Sequence, residues 1–473
     1  MTRSLSALLP LLLAGCTVGP DYERPETALA ENWLEPAVPG RIDAVWWRSF
    51  GDPQLTALVE RTITSSPELR EAEARLAEAR ANRDAVRGGR SPQVEAAGST
   101  TENVLSENGQ LPVASIPGFD REFSLFDLGF DARWELDFWG RNRRQIEAAE
   151  ARVDAALWGQ RDVLVSIIAE LARNYVELRR AQADLAIAEA RVAAHTELAR
   201  LTKLRFNAGE ASRIEVEETE SQRAAAAAAR DGLAAEEAAA GYRIGVLVGA
   251  PPEEVVPGLR ANSPIPEPAA TIITGVRSEL LERRPDIRRA ERELAAATAD
   301  IGVASADLFP RFSLLGSLGL QARDAGDLLS EGSGRLSFGP TFSWPIFSGG
   351  RIRAQVRASG ARAEAAAARY EKTVIGALAE SESAANRFAQ ASAAADEASA
   401  GLERQASTYR LVEMRVERGE DDRLALIRAR LRLLDAQARE RSAAEARTTA
   451  AIALYKALGG GWAARSLEAP RTH

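Results

Sequence analysis

Cys16 is the residue whose type and setting most plainly prescribe chemistry. It is the only cysteine, and it closes Leu13-Ala14-Gly15-Cys16, the pattern of a bacterial lipoprotein cleavage site. Upstream, a single basic residue, Arg3, precedes an apolar stretch from Leu5 to Leu13. That stretch is too short to span a bilayer as a mature helix and reads as a signal peptide. The expected chemistry is removal of residues 1–15 and acylation of the Cys16 thiol. Each buried methylene contributes about 0.8 kcal/mol, so several acyl chains hold the protein firmly at a membrane. With no second thiol there is no internal disulfide. Other reactive groups are scarce. The two histidines, His195 and His473, leave a zinc or redox site almost nothing to build from. No nucleophile with a base, metal cluster or phosphate loop is present. The expectation is therefore no catalytic residue, no metal and no cofactor beyond the covalent lipid.

Charge narrows the partners. The chain carries 60 basic and 68 acidic residues, and loss of Arg3 with the signal takes the mature net charge from −8 to −9. This argues against nucleic acid as a partner. Basic residues are nearly all arginine, with only Lys203, Lys372 and Lys456; we read this as genomic composition rather than chemistry.

The elements that must position any functional residue are written twice. Residues after Ser66-Pro67 recur after Arg284-Pro285 with no gap, Pro92 matching Pro310. Arg141 to Gly249 matches Arg351 to Gly459 in constant register, so the chain is a unit of roughly 210 residues duplicated. From Trp139 to Phe206 there is no proline, and Leu164, Ile168, Leu171, Tyr175 and Leu178 fall at spacings of four and three. This predicts a coiled-coil seam on a helix about 100 Å long. Its counterpart runs from Gly350 to Val416. Each long helix ends at a glycine turn, Asn207-Ala208-Gly209 or Glu417-Arg418-Gly419, and returns as a shorter helix, Ile214 to Val248 or Leu424 to Leu458. Helices of about 20 residues beginning after Pro67 and Pro285 make up the missing length if they stack end to end on the returning ones.

The second material is β. Phe126, Leu128, Phe130, Ala132, Trp134, Leu136 and Phe138 alternate with Asp127, Asp131, Arg133, Glu135 and Asp137, a strand with one greasy and one wet face. In the second half Leu336, Phe338, Phe342, Trp344 and Ile346 alternate with Arg335, Ser337, Thr341 and Ser343. Weaker strands run from Phe312 to Leu320 and from Val94 to Val104. The loops, Ser106 to Glu122 and Arg323 to Gly334, are polar and glycine-rich. Four strands in two hairpins have the length and pattern of membrane-spanning strands, although a soluble sandwich strand reads the same in isolation. In lipid an open four-stranded sheet has unpaired edges, and closed barrels have at least eight strands. Two copies give a barrel filled by side chains; three give twelve strands and room for a pore.

Cys16-Thr17-Val18-Gly19-Pro20-Asp21-Tyr22, Trp46-Trp47-Arg48-Ser49-Phe50-Gly51-Asp52-Pro53 and Ser278-Glu279-Leu280-Leu281-Glu282-Arg283-Arg284-Pro285-Asp286-Ile287 together resemble the outer-membrane factor lipoproteins of tripartite efflux systems. The resemblance covers the whole mature chain. It implies a mainly α fold with a transmembrane β part: a homotrimer whose twelve-stranded barrel, four strands per chain, continues into a periplasmic α-barrel of duplicated helical hairpins. It implies a passive conduit served by a periplasmic adaptor and an inner-membrane pump, often of the resistance-nodulation-division type, with outer-membrane lipid around the barrel. Thr17 after the cysteine favours outer-membrane sorting by resemblance to known lipoproteins. The implied organisation is signal peptide 1–15, lipid-anchored and equatorial segment 16–66, first repeat 67–250, linker 251–277, second repeat 278–460 and tail 461–473.

The resemblance places function at the glycine turns, the periplasmic end of the tunnel, where acidic and apolar rings narrow the aperture. Candidates are Asp421, Asp422 and Leu424 with Glu420 at the second turn, and Ile214 and Glu218 with Glu210 and Glu215 at the first. Where relatives carry an aspartate, this chain has Arg428, the duplicated counterpart of Glu218; the pair is expected to line or lock the aperture. Without the resemblance these are equally ordinary solvated charges. Adaptor contact is expected at Ala208, Gly209, Arg418 and Gly419, where glycine permits a tight reversal. The alternative, a periplasmic lipid-anchored coiled-coil adaptor or scaffold without a pore, explains the rods but not the strands.

Overall fold

The computed structural model describes residues 17–26, 30, 32–106 and 120–462. Cys16, the signal peptide, the tail 463–473 and most of the Ser106–Glu122 loop lie outside the described residues. In chain order the elements are α1 (Pro53–Ser65), α2 (Pro67–Gly88), β1 (Gln93–Val104), β2 (Glu122–Leu136), α3 (Arg141–Asn207), α4 (Arg213–Val248), α5 (Pro252–Leu259), α6 (Leu280–Arg283), α7 (Pro285–Ala306), β3 (Arg311–Ala322), β4 (Gly334–Ser343), α8 (Arg351–Glu417) and α9 (Arg423–Ala457). The chain divides into two compact units.

The first unit comprises the described residues up to Pro25, Leu76–Ala155 and Ala290–Tyr370. At its centre is one antiparallel sheet in the order β1-β2-β3-β4. The register aligns parity across all four strands: Ala96, Phe130 and Leu318 stand abreast, with Leu336 beside Leu318. Because side chains alternate with period two, every even-numbered strand residue shares one face. That face is apolar and open to solvent in the single chain, with Phe130 57%, Leu318 60% and Phe338 71% exposed. The odd-numbered face carries the charges except Glu102 and Glu122, which lie on the even face at one end of β1 and β2.

β2 starts at Glu122, before the alternation becomes legible, and stops at Leu136, where Phe138 N–H turns back to the Leu136 carbonyl at 2.9 Å. β4 ends at Ser343, so Trp344 and Ile346 lie beyond it; Pro345 has no N–H for the ladder. At this end of the sheet the aromatics gather: Phe138 meets Phe312 at 5.3 Å and Trp139 stacks on Phe309 at 4.7 Å. Indole groups of Trp139 and Trp344 donate to the Pro310 and Leu308 carbonyls at 2.9 and 3.1 Å.

The segment after Cys16 is held against the same unit. Arg144, its side chain 4% exposed, donates to the carbonyls of Val18 and Gly19, each at 3.3 Å, and to Asp21 at 2.6 Å. The backbone of Gly19 lies so close to Gly302 that a Cβ on Gly19 would stand 2.4 Å from the Gly302 Cα. Tyr22 donates to the fully buried Glu291 at 2.5 Å, and Arg292 pairs with the same carboxylate. Burial and this acceptor push the Tyr22 phenol far above its ordinary range.

The second unit comprises Glu26–Arg75 where described, Ala156–Arg289 and the described residues from Glu371. The seam read from the sequence is its core: Leu164, Ile168, Leu171, Tyr175 and Leu178 of α3 are at most 3% exposed. They pack with Trp46, Trp47, α1 and the ends of α4 and α9. Asp52 caps α1 by accepting from Gln54 and Leu55 N–H at 2.8 and 2.9 Å, and its other oxygen accepts the Tyr175 hydroxyl at 2.8 Å. Trp46 stacks on Tyr455 at 5.2 Å. The Trp46–Pro53 signature is thus a core and a helix start.

Both end-to-end junctions form. Four glycines, Gly209, Gly249, Gly419 and Gly459, have φ of 73 to 81°, and each closes its helix with the same pair of bonds. At Gly249, for example, its N–H reaches the Val246 carbonyl and the next N–H reaches Gly245, the Schellman arrangement. Beyond Gly249, Ser65 Oγ donates to the Val248 carbonyl at 2.6 Å, so α4 ends where α2 begins. In the second half Arg284 takes this place: it donates to the terminal Ala457 carbonyl of α9 at 2.9 Å and pairs with Asp286 at 2.8 Å and Glu380 at 2.6 Å. With Leu280 and Ile287 each 1% exposed, the Ser278–Ile287 block is a structural lock.

Candidate functional site

The two turns that carry the predicted aperture and adaptor residues belong to the second unit. Polar chemistry shapes both. After α3, Gly209 N–H donates to Phe206 and Glu210 N–H to Arg205; after α8, Gly419 donates to Val416 and Glu420 to Arg415. Ala208 and Arg418 each occupy the residue before the left-handed glycine, and a Cβ on either glycine would meet nothing within 4 Å. These turns present open backbone. Ser212 and Glu215 then start α4 with a reciprocal capping box, the Ser212 N–H donating to Glu215 at 2.8 Å and the Glu215 N–H to Ser212 at 3.2 Å.

The predicted aperture residues do not form one cluster. Ile214 is 70% exposed, and Glu218 and Arg428 are exposed on α4 and α9 without pairing with each other. A lock between them within one chain is therefore not part of this structure. Asp422 caps α9, accepting the Ala425 N–H at 2.7 Å, and Asp421 pairs with Arg415 at 3.0 Å. Leu424 corrects the expectation of an aperture-lining side chain. It is 6% exposed and packs with Ala194, Leu198 and Ile427 in the α3–α9 seam, because it occupies the inward position of the first turn of α9.

Sequence reasoning missed Arg205 and Arg415. Arg205 donates to the Glu210 carbonyl at 3.2 Å, and Arg415 lies 3.7 Å from Glu420 and 3.0 Å from Asp421. An arginine five residues before a glutamate at both duplicated turns was the available signal. It also missed the ties between helices. Arg180 of α3 reaches Asp184 at 2.6 Å, Glu445 of α9 at 2.9 Å and Glu236 of α4 at 3.4 Å. Burial pushes the Asp184 and Glu445 carboxyls up, against the lowering by Arg180. Lower down, Arg191 pairs with Asp435 at 2.6 Å and Arg423 reaches Glu197 at 3.4 Å. Arg200, hydrogen-bonded to Glu197 at 2.7 Å, holds that carboxyl below the usual range. His195, beside them, is pushed below its ordinary 6.5 first by burial and then by Arg191.

No group of His, Cys, Asp and Glu able to hold a metal occurs among the described residues. No described helix is long and apolar enough to cross a membrane. Long polar helices with open turns, and a four-stranded sheet offering one apolar and one charged face, suit a conduit.

Comparison with known proteins agrees with that geometry. Residues 58–241 and 276–460 match the outer membrane efflux protein family. The chain is similar to nodulation protein T of Rhizobium leguminosarum bv. trifolii, 33% identical over 390 residues and 81% of each chain. It is 30% identical to the pyoverdine export outer membrane protein OpmQ of Pseudomonas aeruginosa, covering 96% of this chain and 95% of that one. The solved outer-membrane channel OprN superposes with a TM-score of 0.83 at 37% identity, covering 94% of this chain and 100% of that one. The duplicated rods, their glycine turns and the half-apolar sheet are thus those of the outer membrane efflux protein family, to which this chain belongs as the channel, not an enzyme, through which a tripartite pump exports its substrates across the periplasm and outer membrane.

Proposed function

We propose that three copies of this chain close a single twelve-stranded barrel, with the even-numbered strand face against lipid and the odd-numbered face around the pore. The observation that carries this reading is the aligned parity of the sheet. Most large apolar side chains of the four strands lie on one exposed face, with Phe123, Leu125 and Leu315 the exceptions, while β1 and β4 have no further partner within the described chain. Unpaired edges do not persist in lipid, so copies must supply the missing neighbours. Four strands per chain reach an open lumen at three copies. Channels of this family work as trimers with an adaptor and an inner-membrane pump.

Four helices of the second unit, tied to one another by Arg180, Arg191 and the Arg447–Asp396 pair, supply each copy's share of the tunnel wall. Ile214, Glu218, Arg428, Asp421 and Asp422 stand near its periplasmic aperture. The turns at Ala208, Gly209, Arg418 and Gly419 receive a periplasmic adaptor, and a pump of the resistance-nodulation-division type supplies the energy. Acylated Cys16 anchors the chain to the outer membrane. Planar-bilayer conductance of the detergent-purified protein, with its mass by light scattering, tests the assembly. The expected result is a trimer with small openings that grow when Glu218 and Arg428 are neutralised. A monomer without conductance would return the chain to the scaffold reading.

A further inference from the structure

The odd-numbered face of the sheet holds one construction that strand formation does not require. Arg335 of β4 lies opposite Gly319 of β3, which lies opposite Gly129 of β2. The glycine pair is unusually tight. A Cβ on Gly129 would stand 2.6 Å from the Leu318 carbonyl oxygen, and one on Gly319 would stand 2.6 Å from that of Leu128. Glycines at such a point let two strand backbones approach closely. They also leave a bare trough beside Arg335.

The guanidinium of Arg335 crosses that trough. Its Nη1 donates to Ser317 Oγ at 2.9 Å, and its Nη2 donates to Asp127 Oδ1 at 2.6 Å, two strands away. The other Asp127 oxygen accepts from Gln321 at 2.8 Å. Three strands are therefore joined by a side chain lying along the wall, with Arg335 28% and Asp127 18% exposed.

We propose that Arg335, held down by Asp127, is a selectivity-determining residue of the pore. With Arg335 paired, and Arg311 paired with Asp307 at 2.5 Å, the odd face retains Glu95, Asp131 and Glu135 against Arg133 alone. Three carboxylates against one guanidinium leave a net of two negative charges per chain. Glu95 and Asp131 stand directly opposite each other on β1 and β2, which concentrates that charge. The wall therefore favours cations and cationic substrates, and the strap keeps an arginine from opposing them. This rests on the reading that odd residues face the lumen.

The test is the zero-current potential of the purified channel in a salt gradient at low ionic strength, where the Debye length reaches about 30 Å and wall charges are felt across the lumen. Asp127→Asn releases Arg335 and is expected to shift the cation-to-anion permeability ratio toward anions by about twofold. Arg335→Gln leaves Asp127 unpaired and is expected to shift it toward cations by a similar factor. The exchange Asp127→Arg with Arg335→Asp restores the pair and the wild-type ratio. A purely structural staple would lower the heat resistance of both single variants without opposite shifts, and this outcome overturns the proposal. Failure of the lumen reading is separately visible. The thiol introduced by Ser337→Cys, on the same face, would then escape a charged thiol reagent added to an open channel that conducts normally.

Discussion

Gly249 and Gly209 have the same left-handed backbone and the same cap, yet their surroundings differ. A methyl group on Gly249 would meet the Ser65 carbonyl at 2.4 Å, whereas one on Gly209 meets nothing within 4 Å. Gly209→Ala therefore bears only the left-handed penalty, about 1 kcal/mol. Gly249→Ala adds a collision at the α4–α2 junction and is expected to cost at least about 2 kcal/mol more; thermal unfolding in detergent, followed by circular dichroism, compares the two. Arg284 carries more still. Removing it leaves Glu380, Asp286 and the Ala457 carbonyl without their shared donor, and Arg284→Ala should destabilise the second unit by about 3 kcal/mol. His195 is the titratable group expected to respond near neutrality. Burial lowers its folded pKa below 6.5, so the unfolded chain binds the proton first, and stability falls as pH drops below that value. His195→Gln should flatten the stability profile between its folded pKa and 6.5 without changing it at pH 8. An unchanged slope would assign the effect elsewhere.

At the scale of elements, the segment Thr17–Tyr22 behaves as a fitted piece of the first unit. Its carbonyls and Asp21 converge on one buried guanidinium, and Tyr22 closes on Glu291. Arg144→Ala should loosen this segment while leaving the proposed acylation at Cys16, which precedes it, intact. The expected outcome is a lipidated protein that fractionates with membranes but is cut near its N-terminus by limited proteolysis at concentrations the wild type survives. Equal resistance of the two proteins would show that the Gly19–Gly302 approach and Tyr22 suffice. The strands make a sharper element-scale contrast. Leu318 and Ser337 lie on opposite faces of β3 and β4. In the proposed barrel Leu318→Arg places charge against lipid at about 2–4 kcal/mol per chain and should reduce the amount of trimer recovered from the outer membrane, whereas Ser337→Arg should leave recovery unchanged.

At the scale of the whole molecule, periodicity and duplication were enough to read the long helices, their returns, the four strands and the glycine turns, each within a few residues of its observed bounds. Such features are local: a spacing of four and three or an alternation of two is written along the chain, and a reversal needs glycine where the backbone turns left-handed. The signatures at Trp46–Pro53 and Ser278–Ile287 were recognisable as words, but their meaning was tertiary. Asp52 meets Tyr175 and Arg284 meets Ala457 only because segments more than a hundred residues apart are brought together. The same holds for the candidate site. Sequence placed Leu424 and the charges near a turn, and only packing showed Leu424 in a seam, Asp421 and Asp422 engaged in the turn, and Glu218 and Arg428 left exposed. Parity within a strand was legible from residue types alone. Which residues of different strands stand abreast depends on register, and register let Arg335 reach over two glycines to Asp127.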